Sequence, residues 1–388
     1  MSLSRLASSL LLCLSVLFSN YLFCQGLSNI SFGSEYTFEV VTWNIEWFPK
    51  NGSATVDSVS TIIQALDVDL LGLQEIDDTT ICRQMIDNLP GFDLFMDNEW
   101  FGGLAYVYKT NTIDIQSIYK IYDTSEYWNA FPRSPLVIEL TYMDEDFVII
   151  NNHFKCCGDG YLDVGNTSDE EARRYEASSL LKTYIDLNFP SKRVMVIGDL
   201  NDILNDEVSS NVFQMYLDDP ENYTFADLEI ANGPSSNWSF PGWPSHLDHI
   251  LVTNEISSDL SNEQSTVTTI KVDNFMEDGW DDYDYYVSDH RPVGLKLEVT
   301  PTPQNMDESL NPQITVYPNP TQGHVKIDLR PFQLATEITI TDLKGKLISN
   351  KTFQENNLIE FDINAPAGIY LMSVKSELQV AVTKLLVK

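Results

Sequence analysis

The feature that most constrains this fold is a series of short apolar runs, each of which ends in a cluster of polar side chains. The runs have the length and β-branched content of buried strands, and amphipathic stretches lie between them. Strands mixed with intervening helices favour a sheet sandwich flanked by helices over an all-β fold. The predicted strands are Phe38–Trp43, Leu70–Leu73, Leu104–Tyr108, Leu136–Tyr142, Phe147–Asn151, Arg193–Ile197 and Asp248–Thr253.

Three amphipathic stretches predict helices in the same part of the chain. The first two span Val56–Ala65 and Cys82–Asn88, after the first two predicted strands. The third helix is longer and ends at Leu187. Its start is predicted at Ser168 or Asp169, because either side chain can cap a helix N-terminus.

The balance of charge limits what this chain binds. It has 57 acidic and 23 basic residues among 388, which gives a formal net charge of −34. Such a charge does not favour loose attraction to DNA or to anionic membranes, so a nucleic-acid contact needs a local basic patch. The hydrophobic fraction of 43% supports a sizeable core, and the length predicts one large domain and a small one.

The first residues have the pattern of a secretion signal. Arg5 supplies a positive start, and Leu6–Phe23 is apolar with small residues mixed in. We expect residues 1–24 to be a signal peptide that is cleaved near Cys24, although an uncleaved membrane anchor is the alternative. After cleavage we expect no stable membrane span.

Three cysteines then remain, and their pairing stays open. An oxidising compartment would allow Cys82 to pair with Cys156 or Cys157, which leaves one thiol over. A metal site formed by the adjacent cysteines and His153 is less favoured, because no second cysteine pair with zinc-like spacing accompanies them.

The C-terminal part of the chain changes character. Residues 300–312 are rich in proline and polar side chains, which predicts an exposed linker. Beyond it, residues 313–388 contain short alternating runs such as Val325–Leu329 and Ile338–Thr341. These runs predict a small all-β module, and it carries no cluster of catalytic residue types.

This tail resembles the type A C-terminal sorting domain of the Bacteroidetes type IX secretion system. The resemblance rests on three elements that occur in the family order, namely Val316–Pro320, Ile340–Gly345 and Pro366–Tyr370. It implies recognition by the type IX export machinery, export across the outer membrane, and release or attachment at the cell surface. A carbohydrate-binding or stabilising β-module is the alternative.

The polar clusters at the strand ends carry the chemistry in the body of the chain. Glu75 ends the second apolar run and offers a hard oxygen ligand suited to Mg²⁺, Mn²⁺ or Ca²⁺. Asn44 follows the first run, where it is either functional or a turn residue. Asp199 and Asn201 lie two residues apart, so in extended backbone they face the same side.

Two histidines and an arginine complete the candidate site. His153 follows the run that ends at Asn151, and His290 follows Asp289 in a Ser-Asp-His sequence. A carboxylate can bind a metal or a water, and an imidazole can move a proton or stabilise a phosphate. Arg133 can hold a phosphate through two parallel hydrogen bonds.

This set of motifs resembles the endonuclease/exonuclease/phosphatase superfamily over roughly residues 38–299, and we take 31–299 as the catalytic domain. Its most specific parts are Gly198–Asn201 and Ser288–Pro292. The resemblance implies a four-layer α/β sandwich, in which two packed mixed sheets are flanked by helices. The roles that it implies are metal binding for Glu75, Asn44 and Asp289, orientation of water and phosphate for Asp199 and Asn201, acid/base work for His153 and His290, and orientation of His290 for Asp248.

Some positions depart from the family or are ambiguous. The glutamate that supports the first histidine in pancreatic-type nucleases has no evident counterpart here, and Glu99 is a weak substitute. Glu46 is interpreted as a loop acid, because the family does not use that position. His246 and His249 flank Asp248, and strand alternation predicts that His249 points away from it, so a packing role is expected for both.

We expect a secreted, monomeric phosphoesterase with Mg²⁺, or Mn²⁺ or Ca²⁺, that attacks a phosphodiester with water. An extracellular endonuclease acting on DNA is the first interpretation. A sphingomyelinase or another phosphodiesterase is the alternative, because the predicted acidic loop Glu277–Asp284 repels a polyanion but suits a cationic headgroup near Trp280 and Tyr283. A non-catalytic surface-binding protein is the third interpretation.

Overall fold

The computed structural model describes residues 26–96, 103–301, 315–329, 336–353, 358–376 and 380–388. The chain divides into two compact units, and the division falls between Pro301 and Thr302. The expected signal peptide, Glu99 and residues 302–312 of the expected linker lie outside the described residues.

The first unit contains two mixed six-stranded sheets. Its strands are, in chain order, β1 (Phe38–Phe48), β2 (Leu70–Ile76), β3 (Phe92–Met96), β4 (Gly103–Lys109), β5 (Asp114–Lys120), β6 (Leu136–Tyr142), β7 (Glu145–His153), β8 (Arg193–Asp199), β9 (Tyr223–Phe225), β10 (Asp248–Thr253), β11 (Thr266–Thr269) and β12 (Val293–Leu297). The first sheet has the order β11-β12-β1-β2-β4-β3, and the second has the order β5-β6-β7-β8-β10-β9. Only the central pairs β1–β2 and β7–β8 are parallel among these strands.

Helices and short 3₁₀ turns connect the strands. Asp169 caps the longest helix by accepting a hydrogen bond from the Ala172 amide at 2.7 Å, so Asp169 rather than Ser168 is the N-cap. The helices are α1 (Ser53–Leu66), α2 (Thr79–Asp87), α3 (Glu170–Asn188), α4 (Gln214–Leu217), α5 (Leu228–Ala231), α6 (Asn254–Leu260) and α7 (Trp280–Tyr286), and the 3₁₀ turns are Ser125–Tyr127, Ser235–Asn237 and Val272–Phe275.

The central strands of both sheets bury both of their faces, which produces four layers. Val40 packs between the two sheets, whereas its neighbour Val41 packs in the core formed with α1 and α2. Ile149 likewise lies between the sheets, and Ile150 packs in the core formed with α3. Because successive side chains of a strand point to opposite faces, each central strand needs a near-continuous apolar run. The predicted four-layer α/β sandwich is confirmed.

The strands that sequence patterns missed are mostly at the sheet edges. β3, β5, β9 and β11 are the four edge strands, and β12 was also missed. An edge strand is less enclosed than a central one, and β5 has no fully buried residue. Its apolar pattern is therefore weaker than that of the buried strands.

Cys82, Cys156 and Cys157 are free thiols. Cys82 is buried in the core with α1 and α2, and the sulfur atoms of Cys156 and Cys157 lie 3.0 Å apart without a bond. The disulfide that the sequence allowed for Cys82 is therefore absent from the structure. None of the helices in the described ranges has both the length and the apolar character that crossing a bilayer requires.

The second unit is all-β, as expected. It contains two antiparallel sheets with the orders β13-β14-β17 and β16-β15-β18-β19, which share one apolar core. Tyr370 is buried, and its hydroxyl donates to the Pro366 carbonyl at 2.7 Å. The strands are β13 (Thr315–Tyr317), β14 (His324–Asp328), β15 (Thr336–Asp342), β16 (Leu347–Phe353), β17 (Leu358–Asp362), β18 (Gly368–Lys375) and β19 (Val380–Val387).

Candidate active site

Three adjacent strands of the second sheet align the core of the site. In the register of β7, β8 and β10, Asp199 is opposite both His153 and Asp248. β7 and β8 are parallel, so their carboxyl ends meet, and antiparallel β10 brings its first residue to the same edge. The three side chains come from distant parts of the sequence, and sheet pairing places them in one row.

The first sheet contributes a carboxylate and an amide to the same edge. Asn44 ends the straight part of β1, and its Nδ2 donates to Glu75 Oε1 at 3.2 Å and to Asp199 Oδ2 at 3.0 Å. Asn44 Oδ1 accepts the Glu46 amide at 3.0 Å. In this orientation Asn44 ties the carboxylates of the two sheets together through its amide nitrogen.

The buried side-chain amides of Gln74 and Asn151 stabilise this edge of the two sheets. Gln74 Nε2 donates to Asn151 Oδ1 at 2.7 Å, and Asn151 Nδ2 donates to the carbonyls of Leu73 and Ala105 at 3.1 Å. Both side chains are fully buried. Because buried amides without partners are costly, this network fixes the relative position of β2 and β7 under the site.

The backbone at the strand ends adopts conformations that most residues avoid. Gly198 has a φ of 146°, and a Cβ there would lie 2.0 Å from the Asn152 carbonyl oxygen, so only glycine fits. Glu75 and Asn201 also have positive φ values, 64° and 55°. Such strain is concentrated at sites where the position of a side chain matters more than local stability.

Asp199 is the centre of the site. Its Oδ2 lies 3.6 Å from His153 Nε2 and 3.7 Å from His290 Nε2, and its Oδ1 accepts the Asn201 amide at 3.0 Å. His290 Nδ1 is 2.7 Å from Asp248 Oδ2, so Asp248 holds the ring with its other nitrogen toward Asp199. The imidazoles of His153 and His290 therefore both face the carboxylate of Asp199.

The pKa values of the two histidines are shifted in opposite directions. Burial lowers the pKa of His153 well below its ordinary value, and the positive charges of Arg133 and His290 lower it further. Burial also opposes the charged form of His290, but the carboxylates of Asp248 and Asp199 outweigh it and raise the His290 pKa well above its ordinary value. The site thus pairs a neutral imidazole with a protonated one.

The negative charge of the carboxylates in the site is not fully neutralised by neighbouring positive groups. Burial raises the pKa of Asp199 to about 6, His290 lowers it, and Asp248 and Glu75 raise it. Burial raises the pKa of Asp289 to about 7, with further increases from Glu46 and Glu75. A divalent cation relieves such crowding, so the chemistry of these oxygen donors fits a metal ion.

The donor geometry gives more than one candidate set of ligands. Asp199, Asp248 and His290 each offer a ligand atom, and these atoms lie within 4.8 Å of one another. His290 Nδ1, however, is already bonded to Asp248, and its other nitrogen faces Asp199. We regard this group as an acid–histidine relay, and Glu75, Asn44 and Asp289 stay the predicted ligands.

The Ser-Asp-His segment is anchored to the end of β1. Ser288 Oγ donates to the Asn44 carbonyl at 2.7 Å and accepts the His290 amide at 2.9 Å. The Asp289 amide donates to Glu46 Oε2 at 2.8 Å, and Glu46 forms an ion pair with Lys50. Glu46 belongs to β1 rather than to a loop, and sequence patterns gave no signal for Lys50 at this place.

The acidic segment before Ser288 is not the loop that was expected. Trp280–Tyr286 is helix α7, and Tyr283 is fully buried with its hydroxyl donating to the His290 carbonyl at 2.6 Å. Arg291 lies over the Trp280 ring at 5.2 Å. The part of the sphingomyelinase alternative that places Tyr283 near a cationic headgroup is wrong, because Tyr283 belongs to the core. Trp280 is half-buried.

The two predicted phosphate-binding residues lie on the His153 side. Arg133 is half-buried and close enough to His153 for its charge to lower the pKa of that imidazole. Asn201 is half-buried, and its Nδ2 donates to the Phe154 carbonyl at 3.3 Å. Their role in holding a phosphate stays a prediction.

A cavity of about 450 Å³ opens beside Asn201. Two acids, Asp202 and Asp206, and two tryptophans, Trp238 and Trp243, are part of its wall. Trp243 is 79% exposed, and it lies in a short loop closed by the paired backbones of Phe240 and Ser245. Sequence patterns did not identify these aromatic residues.

The segment that leads into this loop contacts two residues of the candidate site, His290 and Asp248. The Phe240 ring packs against His290 in a tilted arrangement, with 4.8 Å between the ring centroids and 41° between the ring planes. Ser239 Oγ accepts the amides of Leu247 and Asp248 at 3.1 and 3.2 Å. The exposed tryptophan is thus carried by a segment that contacts the histidine of the site.

A second cluster of an acid with two histidines lies on the other face of β10. Asp227 Oδ2 is 2.6 Å from His249 Nδ1 and 3.1 Å from His246 Nε2, and all three residues are buried. His249 points away from Asp248, as strand alternation indicates. Sequence patterns missed Asp227, which lies in a short turn before α5 and has no motif around it.

Two parts of the chain match models of known families. The sequence model described as "Endonuclease/Exonuclease/phosphatase family" matches residues 41–290, and the model described as "Secretion system C-terminal sorting domain" matches residues 315–388. No curated protein sequence matches the chain.

Solved structures are similar to this chain at low sequence identity, and two of them share its fold with TM-scores of 0.50 and 0.52. D. rerio TDP2 complexed with single strand DNA product is 12% identical with a TM-score of 0.52, and it matches 68% of this chain and 99% of that chain. A humanized D. rerio TDP2 with 14 mutations is also 12% identical over the same shares, with a TM-score of 0.50. The human Nocturnin catalytic domain with bound sulfate anion is 16% identical, with a TM-score of 0.48 over 67% of this chain and 93% of that one.

Proposed function

Because the chain belongs to the endonuclease/exonuclease/phosphatase family, we propose that it hydrolyses phosphodiester bonds with a divalent metal and acts as an extracellular endonuclease. Its C-terminal sorting domain directs it through type IX secretion to the cell surface or the exterior. The observation that carries the proposal is that two histidines lie within 3.7 Å of Asp199 and that their pKa values are shifted in opposite directions.

In this proposal the protein's own groups move the protons. Asp199, with a pKa of about 6, orients the attacking water and accepts its proton. Protonated His290, held by Asp248, stabilises the negative charge that builds up on the phosphate. His290 also supplies the proton that the leaving oxygen takes up as the P–O bond breaks, because it is the protonated imidazole of the pair. Neutral His153, Arg133 and Asn201 form hydrogen bonds to phosphate oxygens.

Glu75, Asn44 and Asp289 are the residues proposed to hold the metal, with Mg²⁺ as the first ion to test and Mn²⁺ and Ca²⁺ next. When bound, the ion supplies positive charge opposite the non-bridging phosphate oxygens. The raised pKa values of Asp199 and Asp289 support a cation here, because both carboxylates are buried and, in addition, lie near other acids.

Two observations support DNA as the substrate, although they do not carry the proposal. D. rerio TDP2, which shares this fold, was solved with a single strand DNA product. The exposed Trp243 beside the site can stack on a base, since every base has an aromatic face.

The same cavity also favours a second candidate function. No lysine or arginine is among the described residues that line it, whereas Asp202, Asp206 and two tryptophans are. Such a wall suits an uncharged or cationic leaving group, as in a choline phosphodiester, better than a polyanion. A sphingomyelinase or a related phosphodiesterase is therefore the alternative.

A substrate panel tests these candidates. We expect the secreted protein to release product from plasmid DNA with Mg²⁺, and EDTA to stop it. Turnover of sphingomyelin without DNA cleavage would favour the second candidate, and turnover of inositol phosphates another phosphatase. No turnover of any substrate with Mg²⁺, Mn²⁺ or Ca²⁺ would contradict an enzymatic role and favour a surface-binding protein.

A variant of the exposed tryptophan tests whether Trp243 binds the substrate under either candidate. Trp243→Ala removes the exposed ring but no charge, and we expect it to raise KM for the preferred substrate while kcat for a small diester such as bis-p-nitrophenyl phosphate stays unchanged. Loss of turnover on the small diester would show that Trp243 acts through the catalytic groups instead.

A further inference from the structure

A second group of acids lies in the connection between β7 and α3, away from the catalytic row. Asp159, Asp169 and Glu171 each offer a carboxylate oxygen, and these oxygens lie within 4.8 Å of one another. None of the three takes part in the proposed hydrolysis. A group of acids alone does not define a site, so the partners of each oxygen decide what this group can do.

Glu171 has an oxygen without a partner. The side chain is only 2% exposed, and its Oε1 accepts the Gly160 amide at 2.7 Å and Arg174 at 3.2 Å. The other oxygen, Oε2, is buried and has no hydrogen-bond partner. An unpaired buried carboxylate oxygen is costly, so a ligand that supplies positive charge there would stabilise the fold.

The backbone of the loop closes tightly over this carboxylate. Gly158 has a φ of 118°, and a Cβ at that position would lie 2.2 Å from Glu171 Oε1 and 2.5 Å from Oε2. A side chain at this position would therefore collide with the carboxylate. Glycine lets the loop enclose the oxygen that has no partner.

The nearest cation does not balance the group. Among the residues that the structure describes, Arg174 is the only positive one bonded to Glu171. It also bonds Asp202 at 2.8 Å and the carbonyls of Lys155 and Cys157 at 2.8 and 2.7 Å. Its charge is therefore shared between two carboxylates. The charges of Asp159 and Asp169 stay uncompensated by it.

We propose that Asp159, Asp169 and Glu171 bind a calcium ion, distinct from the catalytic metal. Ca²⁺ takes six to eight oxygen ligands in irregular geometry, which suits carboxylates presented by a loop and a helix start. Mg²⁺ requires near-octahedral geometry and keeps more of its water, so this site discriminates against it.

The ion would stabilise one wall of the cavity beside the active site. Gly160, whose amide bonds Glu171, lines the same cavity as Asn201 and Trp243. Arg174 links Glu171 to Asp202, the residue after Asn201. Calcium at this loop therefore supports the segment that carries a proposed phosphate-binding residue.

Calorimetric titration of the chelator-treated full chain with calcium chloride tests the site. We expect Asp159→Asn and Glu171→Gln each to bind one calcium fewer than the parent, or to bind it at least about tenfold more weakly, because affinity follows the number of charged ligands. Glu75→Gln, which removes a proposed catalytic ligand, should keep this calcium. Glu176→Gln removes an exposed glutamate of the same helix and should bind as the parent does.

Thermal unfolding gives a second readout that does not depend on activity. Calcium should raise Tm of the parent and of Glu75→Gln, because a ligand that binds only the folded state stabilises it, and it should not raise Tm of Asp159→Asn. Asp159 is exposed and bonds only its own loop, so this variant folds even if Glu171→Gln does not. Equal calcium uptake by the parent and Asp159→Asn, or no uptake by Glu75→Gln, would overturn the proposal.

Discussion

Two clusters on opposite faces of β10 contain the same residue types and differ in how well they are paired. Asp248 belongs, together with His290 and Asp199, to the proposed catalytic cluster, which is called the catalytic cluster below. The next residue, His249, belongs to the other cluster, together with Asp227. Each combines buried carboxylates and imidazoles, so residue type alone does not tell which of them has a function.

In the Asp227 cluster every polar atom has a partner. Asp227 accepts from both histidines and from the Ile250 amide at 2.9 Å, His249 Nε2 bonds the Asp202 carbonyl at 2.9 Å, and His246 Nδ1 accepts the Ser239 amide at 3.2 Å. Burial opposes the charge of Asp227, but the histidines outweigh it and hold its pKa well below the ordinary range. This is the pattern of a structural ion pair.

The catalytic cluster is not balanced in this way. Asp248 Oδ1 is buried without a partner, and burial and neighbouring acids raise the pKa of Asp199 and Asp289. A protein keeps such an arrangement where a ligand completes it. Incomplete pairing, rather than the presence of acids and histidines, distinguishes the functional cluster.

The largest expected effect separates the clusters by activity. We expect His290→Ala and Asp199→Ala each to lower kcat about 100- to 10,000-fold, because each removes a proton-transfer or charge-stabilising group. Both variants should stay folded, as judged by circular dichroism and thermal unfolding. His324→Ala, which removes an exposed histidine of the second unit, is the matched control. Near-normal turnover in either active-site variant would contradict the assigned roles.

Removing the acid of the paired cluster should act on stability instead. We expect Asp227→Asn to lower the free energy of unfolding by about 3–5 kcal/mol, because it leaves a buried histidine charge without its partner. Urea unfolding measures the change. Lys192→Gln removes an exposed ion pair with Asp146 and should cost less than about 1 kcal/mol. Equal losses in the two variants would show that burial of the pair is unimportant.

The contribution of the paired cluster should depend on pH in a defined direction. Burial lowers the pKa of His249, but Asp227 outweighs it, so the folded-state pKa is raised and the stabilisation fades as pH rises through it. The pKa of Asp227 is lowered, so the stabilisation also fades at low pH. The difference in unfolding free energy between the parent and Asp227→Asn should therefore be largest between about pH 4 and 6.5. A difference that grows steadily above pH 8 would contradict this assignment.

The smallest effect has the opposite sign and comes from the catalytic cluster. The folded-state pKa of Asp289 is raised to about 7, so in metal-free protein its ionisation destabilises the fold as pH rises toward that value. With chelator present, Asp289→Asn should raise the unfolding free energy at pH 8 by roughly 1–2 kcal/mol, a figure reduced for partial solvent exposure. At pH 4 the parent and the variant should be equally stable. A lower stability of the variant at pH 8 would show that the carboxylate is well paired.

Much of the fold followed from sequence patterns, and most of the missed strands lie at the sheet edges. The central strands β1, β2, β7, β8 and β10 were predicted because both faces are buried and the apolar runs are unbroken. The edge strands escaped prediction because their burial depends on neighbours that the sequence does not name. Helix α7 was taken for a loop because its acidic residues mask the single buried tyrosine.

The candidate site followed from the sequence only in part. Glu75, His153, Asp199 and His290 were chosen because each follows an apolar run, and the structure brings them to one edge. Asp227 was missed because its partners lie on another strand. The role of Trp243 was missed because a single exposed tryptophan in a turn has no periodic signal.

The sequence by itself determined the family, the secretion tail, the layered α/β class and the strand ends at which the polar residues gather. It could do so because strand periodicity and short motifs are local properties of the chain. Only the tertiary structure decided which acids are balanced by cations and which are not. That balance depends on distances between side chains that are far apart in the chain, such as Asn44 and Asp199, which are 155 residues apart. Sheet pairing and packing alone establish these distances.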